Sequence, residues 1–508
     1  MKTIPEINEK IKKGEAVVLT AEKMKELVAN DGVEKAAKEV DVVTTGIFNL
    51  ACSSGAFLNF GHSDPPIKFG GGEVSLNDVP CYAGLDAVDT YIGVTQVSRS
   101  LGMEYGGGHV LQDLVDKKAV TLEAHAYGTD SHPKTHIKTD ITLQDLNQAI
   151  MVCPRSGHQR YACTNSSDAT LYTHLGALLP NYENIIYSGN GELSPLANDP
   201  DFDTIGIGTR IFLAGAQGYI IGEGTFHDPK DGMGSLMVKG DLKKMNSKYL
   251  RAATLTNYGS SIFLGIGIPI PILNEQIAKK TAIRDEKITI PIYDFSVSSR
   301  SRPIVKEISY AELKKGKVAI DGTTSKCSPI SSIPLAREIM GELKSLIEKG
   351  EFLLGEPIER LSTEKSVRTM KHEIIRVGKH MEKPLLCEAT DSLKVIAKEM
   401  ISKSLNNAIV VDNEDNLIGM ISSLDLTKGL LNDKSKISEV MRTNILTATT
   451  TEAVETIARR MTHHQISTMP VLDEQNKVVG IVSLENLSKL LGRHKGLGIS
   501  LQAKFERR

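Results

Sequence analysis

The alternation of apolar and polar residues predicts a mixed α/β or α+β domain over residues 1–360. Apolar side chains recur at helical spacing over residues 21–40 and 333–348, which predicts two amphipathic helices. Short apolar runs bounded by glycine, at residues 211–215 and 218–223, predict buried strands. Helices that alternate with strands indicate an α/β or α+β fold, although the strand order cannot be derived from the pattern.

The C-terminal third contains an internal repeat whose matching residues all have the same offset of 61 positions (454 − 393). Residues 393–400 match residues 454–461, and residues 419–425 match residues 480–486. Each unit predicts a helix, an apolar strand, a polar turn, a second strand and a second helix. We expect the two units to pack on one another, because neither buries its apolar face alone.

Two further segments define the organisation of the chain. The longest uncharged run, residues 252–274, is long enough to span a bilayer, but its first half is polar and Pro269 and Pro271 interrupt the apolar half. It is therefore predicted to be a buried strand and loop. The charged, irregular residues 349–371 are predicted to link the two parts of the chain.

Composition narrows the classes of function. A net charge of −2 gives no electrostatic footprint for nucleic acid. No apolar segment follows the basic start, so no secretory signal is predicted. Six cysteines without paired spacing are typical of free thiols in a reducing compartment. The sequence thus predicts a cytoplasmic protein that binds neither nucleic acid nor membranes.

The stretch most informative about chemistry is residues 46–68. Cys52 lies there in a run of small residues, and His62, Asp64 and Lys68 follow it. Small residues allow a backbone or a substrate to approach the thiol closely. A nearby histidine and lysine lower the pKa of a thiol, as a nucleophilic or sulfur-carrying cysteine requires. The alternative is a buried cysteine that acts as a small apolar residue.

Motifs for cofactors and metals are weak. The glycines of residues 102–108 lack Rossmann spacing, and their surroundings do not predict a strand entering a helix. Residues 106–109 fit either an anion-binding nest or a tight turn. Cys153 and Cys163 leave iron–sulfur or zinc ligation open, but two scattered thiols do not make a four-ligand site. The histidines at 125, 132 and 136 lack zinc-ligand spacing with cysteine, so neither a metal nor a tightly bound cofactor is predicted.

The repeat resembles a tandem pair of CBS domains, at residues 374–433 and 434–493. Their signature is glycine, two apolar residues, Ser or Thr, two variable residues and an acid. Ser422 and Asp425 fit it in the first copy, whereas Ser483 is followed by Asn486 in the second. In CBS pairs the hydroxyl and the acid contact adenosyl ligands, so the resemblance implies that these four side chains line a cleft between the repeats. A purely structural pair is the alternative.

The resemblance also suggests a ligand and an assembly. S-adenosylmethionine is the first choice, because its sulfonium is cationic and the surroundings of Asp425 in the sequence offer few arginines for a triphosphate. It derives from methionine, and therefore from homocysteine, so feedback control would be logical. A homodimer formed through the CBS domains is also expected.

Residues 1–360 resemble the archaeal homocysteine-biosynthesis family, the L-aspartate semialdehyde sulfurtransferases. The resemblance rests on DVVTTG at 41–46, CSSG at 52–55, NFGHSDPPIK at 59–68, MEYGGGH at 103–109, YGTD at 127–130 and DLNQAIM at 145–151. It implies condensation of sulfide with aspartate semialdehyde through a cysteine persulfide. Because replacing a carbonyl oxygen by a thiol is a net reduction, an external reductant is needed, and the family implies a small ferredoxin-domain protein as the electron donor.

One position departs from the family pattern. Family members carry a second cysteine directly after YGTD as the favoured persulfide carrier, and this chain has Ser131 there. Serine cannot hold a persulfide, so either a native cysteine has been replaced or Cys52 becomes the leading nucleophile. His62, Lys68 and Arg155 are candidates for polarising the aldehyde or binding the substrate carboxylate, with solvated surface charges as the alternative.

Two other functions remain open. Residues 232–235 beside a CBS pair are similar to inosine monophosphate dehydrogenase, but that family inserts the pair into its barrel, and its catalytic cysteine loop is missing here. The other is a non-catalytic adenosyl sensor, in which a CBS pair is fused to an inactive domain. A missing thiol at position 131 favours the sensor.

Overall fold

The computed structural model describes residues 1–156, 160–297, 302–364, 367 and 375–493. The chain divides into two compact units, Met1–Arg368 and Thr369–Arg508. No helix among the described residues combines the length and apolar character needed to cross a bilayer.

The first unit is rich in strands. Its helices in chain order are α1 (Ile4–Lys13), α2 (Ala21–Asp31), α3 (Val33–Glu39), α4 (Gly107–Val115), α5 (Pro195–Asn198), α6 (Glu275–Lys280), α7 (Tyr310–Leu313) and α8 (Ile333–Glu348). Its strands are β1 (Val18–Thr20), β2 (Val42–Leu50), β3 (Gly55–Asn59), β4 (Glu73–Leu76), β5 (Val79–Cys81), β6 (Asp89–Gly93), β7 (Val97–Ser98), β8 (Gly102–Gly106), β9 (Val120–His125), β10 (His136–Ile141), β11 (Gln148–Ser156), β12 (Ala162–Thr164), β13 (Leu171–Thr173), β14 (Gly176–Leu178), β15 (Asn184–Tyr187), β16 (Gly206–Ile207), β17 (Arg210–Leu213), β18 (Ala216–Glu223), β19 (Leu236–Asp241), β20 (Leu250–Leu255), β21 (Gly259–Pro271), β22 (Thr289–Asp294), β23 (Ile304–Ser309), β24 (Lys317–Ile320), β25 (Thr323–Pro329) and β26 (Glu359–Arg360).

A ten-stranded sheet forms the centre of this unit. Its order is β1-β2-β21-β17-β18-β19-β11-β3-β6, with β20 paired to β21. Strands β2 and β21 are antiparallel from Val42 opposite Pro271 to Leu50 opposite Phe263. A six-stranded sheet runs β23-β22-β12-β15-β25-β24, and a four-stranded antiparallel sheet runs β10-β9-β4-β5. The prediction of a mixed α/β or α+β fold is confirmed, and the predominantly antiparallel pairing is of the α+β kind.

Helix α8 confirms the periodicity of residues 333–348 and packs closely on the large sheet. The hydroxyl of Ser332 caps it by accepting a hydrogen bond from the Leu335 amide. Its apolar face is buried against β2 and β21. A Cβ at Gly46 of β2 would lie 2.5 Å from the Ala336 carbonyl oxygen, so glycine at that position permits the close approach.

The other predicted elements are confirmed in part. The buried strand and loop expected at 252–274 is the β20–β21 pair. The helix expected over residues 21–40 is instead two helices, α2 and α3, because Gly32 has a φ of +87° and ends the first of them.

The segment predicted to be a linker belongs in large part to the first unit. Phe352, Leu354 and Leu361 are buried in its core, and β26 pairs with β16. The pattern missed this because the apolar residues are spaced irregularly among charged ones.

The second unit contains the two repeats. The first has β27 (Leu386–Glu388), α9 (Leu393–Ser402), β28 (Asn407–Val411), β29 (Leu417–Ser422) and α10 (Ser423–Leu431). The second has β30 (Ala448–Thr449), α11 (Val454–His463), β31 (Thr468–Leu472), β32 (Val478–Ser483) and α12 (Leu484–Arg493). The predicted order of helix, strand, strand and helix is confirmed in both.

The repeats interlock. A β-bridge joins Met420 of the first repeat to Arg442 of the second, and another joins Ile481 of the second repeat to Glu382 of the first. The Asn407 side-chain amide also donates to the Thr468 hydroxyl at 2.9 Å. Each repeat therefore contributes backbone to the other, as expected of units that do not fold separately.

Candidate active site

Cys52 lies in the turn between β2 and β3, next to the start of β21. The Ala51 amide donates to the Ile262 carbonyl at 2.8 Å, which fixes the turn against β21. A Cβ at Gly55 would lie 2.5 Å from the Ile92 carbonyl oxygen. Glycine at position 55 therefore permits close packing of the backbone next to Cys52.

Burial raises the pKa of the Cys52 thiol above its ordinary value. The Ser261 hydroxyl, which donates to Cys52 Sγ at 3.1 Å, opposes this shift. The Cys153 thiol adds slightly to the increase, and the Arg155 guanidinium opposes it. The net direction is opposite to the lowered pKa that the sequence predicted, so Cys52 is protonated in the resting protein at neutral pH.

Cys52 opens into a cavity of about 410 Å³ that is lined by residues of β2 and β11 and by residues next to strands of the six-stranded sheet. Both polar and apolar side chains line it, from segments far apart in the sequence. They are Asn49, Leu50, Cys52, Ser53, Arg155, Ser156, Tyr161, His174, Leu175, Ser188, Phe226, Met233, Ser235, Tyr258 and Arg302. The volume suits a small metabolite.

Two arginines give the cavity positive charge. The Arg155 guanidinium carbon lies 4.2 Å from the Phe226 ring centroid, and that of Arg302 lies 3.8 Å from the Phe295 ring centroid. Arg155 Nε donates to the Thr225 hydroxyl at 3.1 Å. Within the described part of the chain, the buried Nε of Arg302 has no acceptor, and neither arginine has a carboxylate within 4.0 Å. Stacked guanidinium groups without protein counter-ions are suited to binding an anion.

A tyrosine–histidine pair also lines the cavity. The Tyr161 hydroxyl oxygen lies 2.6 Å from His174 Nε2. Burial raises the pKa of Tyr161 far above its ordinary range. Burial, reinforced by Arg302 and Arg155, lowers the pKa of His174. Both groups are therefore neutral at pH 7, and the pair can offer a hydrogen bond without adding charge.

The structure places His62 and Lys68 away from Cys52, contrary to the sequence analysis. They follow β3, whereas Cys52 precedes it, and a strand of that length separates its ends by roughly 13 Å. His62 instead lies beside His132, with ring centroids 5.5 Å apart, and Lys68 Nζ is 4.0 Å from an oxygen of Asp86. The expectation that these two residues lower the pKa of Cys52 is wrong.

Ser131 lies on an exposed loop near His62, outside the set of residues that lines the Cys52 cavity. Its hydroxyl oxygen is 3.0 Å from His132 Nδ1. Of the three proposed substrate-binding residues, the structure brings only Arg155 together with Cys52.

The glycines at 106–109 have a packing role. Strand β8 does enter helix α4, contrary to the expectation from sequence. The Gly107 and Gly108 amides donate to the Gln96 and Val94 carbonyls, at 2.7 and 3.0 Å. The Gly106 amide donates to His109 Nδ1 at 3.2 Å. Because these amides are already satisfied, the anion-binding nest is not formed.

Cys153 and Cys163 are both fully buried, on β11 and β12. Among the described residues, neither lies in a group of three or more side chains able to ligate a metal. Burial raises the pKa of Cys163 well above its ordinary value.

The four CBS signature residues lie at the start of α10 and α12. Ser422 and Asp425 form a capping box in which the hydroxyl donates to Asp425 Oδ2 at 2.6 Å. Arg442 donates to the other oxygen of Asp425 at 2.9 Å. The argument that arginine is scarce around Asp425 is therefore wrong, because the interlocked repeats bring one in.

The second copy has an amide side chain where the first has a carboxylate. The Ser483 hydroxyl accepts from the backbone amide of Asn486 at 3.2 Å. The Asn486 side chain donates to Glu382 Oε1 at 2.6 Å. The two half-sites thus pair an acid with Arg442 in one case and an amide with Glu382 in the other.

Sequence reasoning missed Asn49, Tyr161, His174 and Arg302. Tyr161 immediately precedes β12, and Arg302 is separated from β23 by Pro303; both strands belong to the six-stranded sheet. His174 lies between β13 and β14. None carries a motif. Asn49 is close to Cys52 in the sequence, whereas Tyr161, His174 and Arg302 reach the cavity only through tertiary packing.

Comparison with known proteins gives the family. Residues 16–354 match the profile of the family described as homocysteine biosynthesis enzyme, sulfur-incorporation. Residues 376–432 and 437–493 each match the CBS domain. The first match includes residues 232–235, on which the similarity to inosine monophosphate dehydrogenase rested. It assigns that region to the homocysteine biosynthesis family instead of the dehydrogenases.

The similarity to two curated archaeal proteins extends over nearly the whole chain. L-aspartate semialdehyde sulfurtransferase of Methanosarcina acetivorans is 46% identical over 497 residues, 97% of this chain and 99% of its own. The protein of the same name from Methanocaldococcus jannaschii is 48% identical over 512 aligned positions, 97% of this chain and 100% of its own. A solved CBS domain pair in complex with 5′-methylthioadenosine and S-adenosyl-L-methionine is 35% identical, with a TM-score of 0.23, and covers 24% of this chain and 100% of its own. The chain therefore belongs to the sulfur-incorporating homocysteine biosynthesis enzymes and carries a tandem CBS pair after its family domain.

Proposed function

We propose that the first unit converts L-aspartate semialdehyde and sulfide into L-homocysteine in the Cys52 cavity. The names of the two archaeal relatives support the substrate, and the family supports sulfur incorporation. The observation that carries the proposal is the combination, in one cavity, of a half-buried thiol with two guanidinium groups for which the described residues provide no carboxylate partner. A thiol supplies the sulfur chemistry, and the guanidinium groups supply the means to hold an acidic substrate.

The cavity matches the charged groups of this substrate. Its α-carboxylate would accept hydrogen bonds from Arg302 Nε and Arg155. Its α-ammonium would donate to the buried Asn49 Oδ1, for which the described residues provide no donor. The ammonium and carboxylate are attached to one carbon and the aldehyde lies two carbons further, so this orientation directs the aldehyde toward Cys52.

Sulfur transfer would use a persulfide on Cys52. The outer sulfur adds to the carbonyl carbon, the C–S bond forms, and the C=O π electrons become an alkoxide. In the tautomer with the proton on Nε2, His174 donates to the Tyr161 oxygen, which leaves the Tyr161 hydroxyl hydrogen for the alkoxide. Two electrons and two protons then cleave the S–S bond and release the Cys52 thiol.

The electron balance requires an outside donor. The released hydroxythiol loses water to give a thioaldehyde, which takes two more electrons and two protons to become homocysteine. The persulfide forms from the Cys52 thiol and sulfide with loss of two protons and two electrons, and the oxidised form of the same one-electron carrier must accept those electrons. The two reductive steps then consume four electrons, so the net reaction from sulfide consumes two. A small ferredoxin-domain protein is the proposed donor.

The test is homocysteine formation by the full chain from aspartate semialdehyde and sulfide with a low-potential one-electron reductant. We expect turnover with that reductant and none with a nicotinamide cofactor alone. Binding of an adenosyl ligand without any homocysteine formation would contradict the proposal and favour the sensor.

Position 131 provides a separate prediction. Ser131→Cys is expected to create a second thiol that retains sulfane sulfur, because the loop is exposed and His132 Nδ1 is within hydrogen-bonding distance to stabilise a thiolate. Mass spectrometry of peptides after sulfide and oxidant treatment measures the adduct, with Ser100→Cys, also exposed, as the control. An adduct confined to Cys52 in the Ser131→Cys variant would exclude position 131 as the carrier.

For the CBS pair we propose S-adenosylmethionine as the regulatory ligand. Its ribose hydroxyls would bind at Ser422 and Asp425, and the carboxylate of Glu382 near Asn486 would favour the cationic sulfonium. ATP is the competing ligand, because Arg442 lies beside Asp425 and arginine is well suited to binding a phosphate group.

Calorimetry on the full chain tests this proposal. Asp425→Asn keeps a side-chain oxygen that can accept from the Ser422 amide at the start of α10, and it is expected to weaken binding by about 1.5–3 kcal/mol if a charge-assisted hydrogen bond is lost. Glu382→Gln is expected to weaken the binding of S-adenosylmethionine but not the binding of adenosine. Tighter binding of ATP than of S-adenosylmethionine would overturn the choice of ligand.

We also propose that the chain dimerises through its CBS pair. Large apolar side chains on α9 and α10 are exposed, and Ile401 and Leu431 reach 78% each. Sedimentation of the full chain should give a dimer that Ile401→Glu weakens.

A further inference from the structure

The β9–β10 hairpin brings together three side chains able to ligate a metal. The antiparallel register places His125 directly opposite His136 and Glu123 opposite Lys138. Glu123 and His125 are two residues apart, so their side chains lie on the same face of the sheet. The other face carries the buried Leu122 and Ala124, so the group faces outward. It shares no residue with the Cys52 cavity.

The three ligand atoms converge. One ligand atom from each of the three residues lies within 4.8 Å of the other two. Glu123 Oε1 lies 3.4 Å from His125 Nε2 and 3.6 Å from His136 Nε2. These separations are longer than an ordinary hydrogen bond. They match the spacing of roughly 3.3–3.6 Å between ligand atoms of a tetrahedral ion whose bonds are about 2.0–2.2 Å long.

The surroundings hold the carboxylate in a ligating orientation. Lys138 Nζ donates to the second oxygen, Glu123 Oε2, at 2.9 Å, which leaves Oε1 directed at the two imidazoles. A neighbour that orients a ligating carboxylate is a common feature of metal sites.

We propose that Glu123, His125 and His136 bind a transition-metal dication of the zinc class, with the fourth position open to solvent. Two imidazoles and a carboxylate suit Zn²⁺ better than the hard cations Mg²⁺ and Ca²⁺. His125 and His136 are the last residue of β9 and the first of β10, so the ion joins the two ends of loop 126–135. That loop carries Ser131 and His132, and the ion would restrain it at its base.

The experiment uses the full, tag-free chain after treatment with a chelator. Calorimetry with Zn²⁺ and the visible absorption of added Co²⁺ are expected to show one equivalent bound per chain. His125→Gln and His136→Gln are each expected to weaken binding by on the order of 100-fold.

Two matched controls separate this site from other surface groups. Asp140→Asn changes another outward side chain of the same hairpin, and His132→Gln changes the histidine beside His62. Both should keep the affinity and the stoichiometry of the wild type.

A measurement on the unmodified chain guards against misfolded variants. Zn²⁺ is expected to protect His125 and His136 from acylation by diethyl pyrocarbonate. Equal Zn²⁺ affinity in the wild type and both histidine variants, no binding at millimolar Zn²⁺, or unprotected His125 and His136 would each overturn the proposal.

Discussion

Cys52→Ala is expected to reduce homocysteine formation by at least about 10³-fold, because it removes the sulfur-bearing atom rather than a group that assists it. Ser261 loses only a hydrogen-bond acceptor in this variant, and alanine fills part of the turn, so the fold should persist. The rate is measured with saturating sulfide and reductant, and thermal unfolding checks the fold. Cys81→Ala is the matched control, since Cys81 is also a half-buried free thiol but lies outside the cavity. Undiminished activity in Cys52→Ala would remove this thiol from the mechanism.

The pH dependence of Cys52 alkylation provides an independent check. Burial raises the pKa of this thiol, so the neutral form persists through the ordinary titration range of cysteine and the thiolate forms only above it. Alkylation by iodoacetamide should therefore rise about tenfold per pH unit and level off at higher pH in the folded chain than in the unfolded chain. Arg155→Ala should move the folded inflection further upward, because it removes a cation that favours the thiolate. A folded inflection below the unfolded one would contradict the site as described.

Those parts of the fold that depend on local periodicity could be predicted from the sequence. Helix α8 and both CBS repeats follow the apolar pattern closely, since each buries one regular face. The break at Gly32 was missed because helical spacing continues across it, while the backbone there is left-handed. The core residues at 352–361 were missed because irregular segments are buried by contacts from distant parts of the chain, which no local pattern records.

The candidate site was predictable only where sequence neighbours stay together in space. The small residues around Cys52 indicate a thiol that a substrate can approach, and the residue type of Arg155 indicates a group that can bind a carboxylate. His62 was expected beside Cys52 because ten positions separate them, but an extended strand carries the chain away over those positions. Arg302 and Tyr161 reach the thiol through the packing of two sheets, so nothing near either of them in the sequence indicates the site.

Arg302→Ala is expected to lower kcat/KM for aspartate semialdehyde by roughly 10- to 150-fold, which corresponds to losing a charge-assisted hydrogen bond of about 1.5–3 kcal/mol. The reason is the buried Nε, which has no acceptor in the described part of the chain and is held by the guanidinium's stacking on Phe295. If this group binds the substrate carboxylate, the loss should disappear with 3-aminopropanal, which keeps the aldehyde and the ammonium but has no carboxylate. Steady-state rates with the two aldehydes measure the difference.

Two variants test whether shape or charge is responsible. Arg302→Lys keeps the charge but loses the planar fork and its stacking, so it should recover only part of the activity. Arg251→Ala removes a guanidinium 6.0 Å from the Phe48 ring centroid, outside the cavity, and should leave the rates unchanged. An equal loss with both aldehydes in Arg302→Ala would show that this arginine supports the cavity without binding the carboxylate, because a group that contacts only the carboxylate cannot slow a substrate that lacks one.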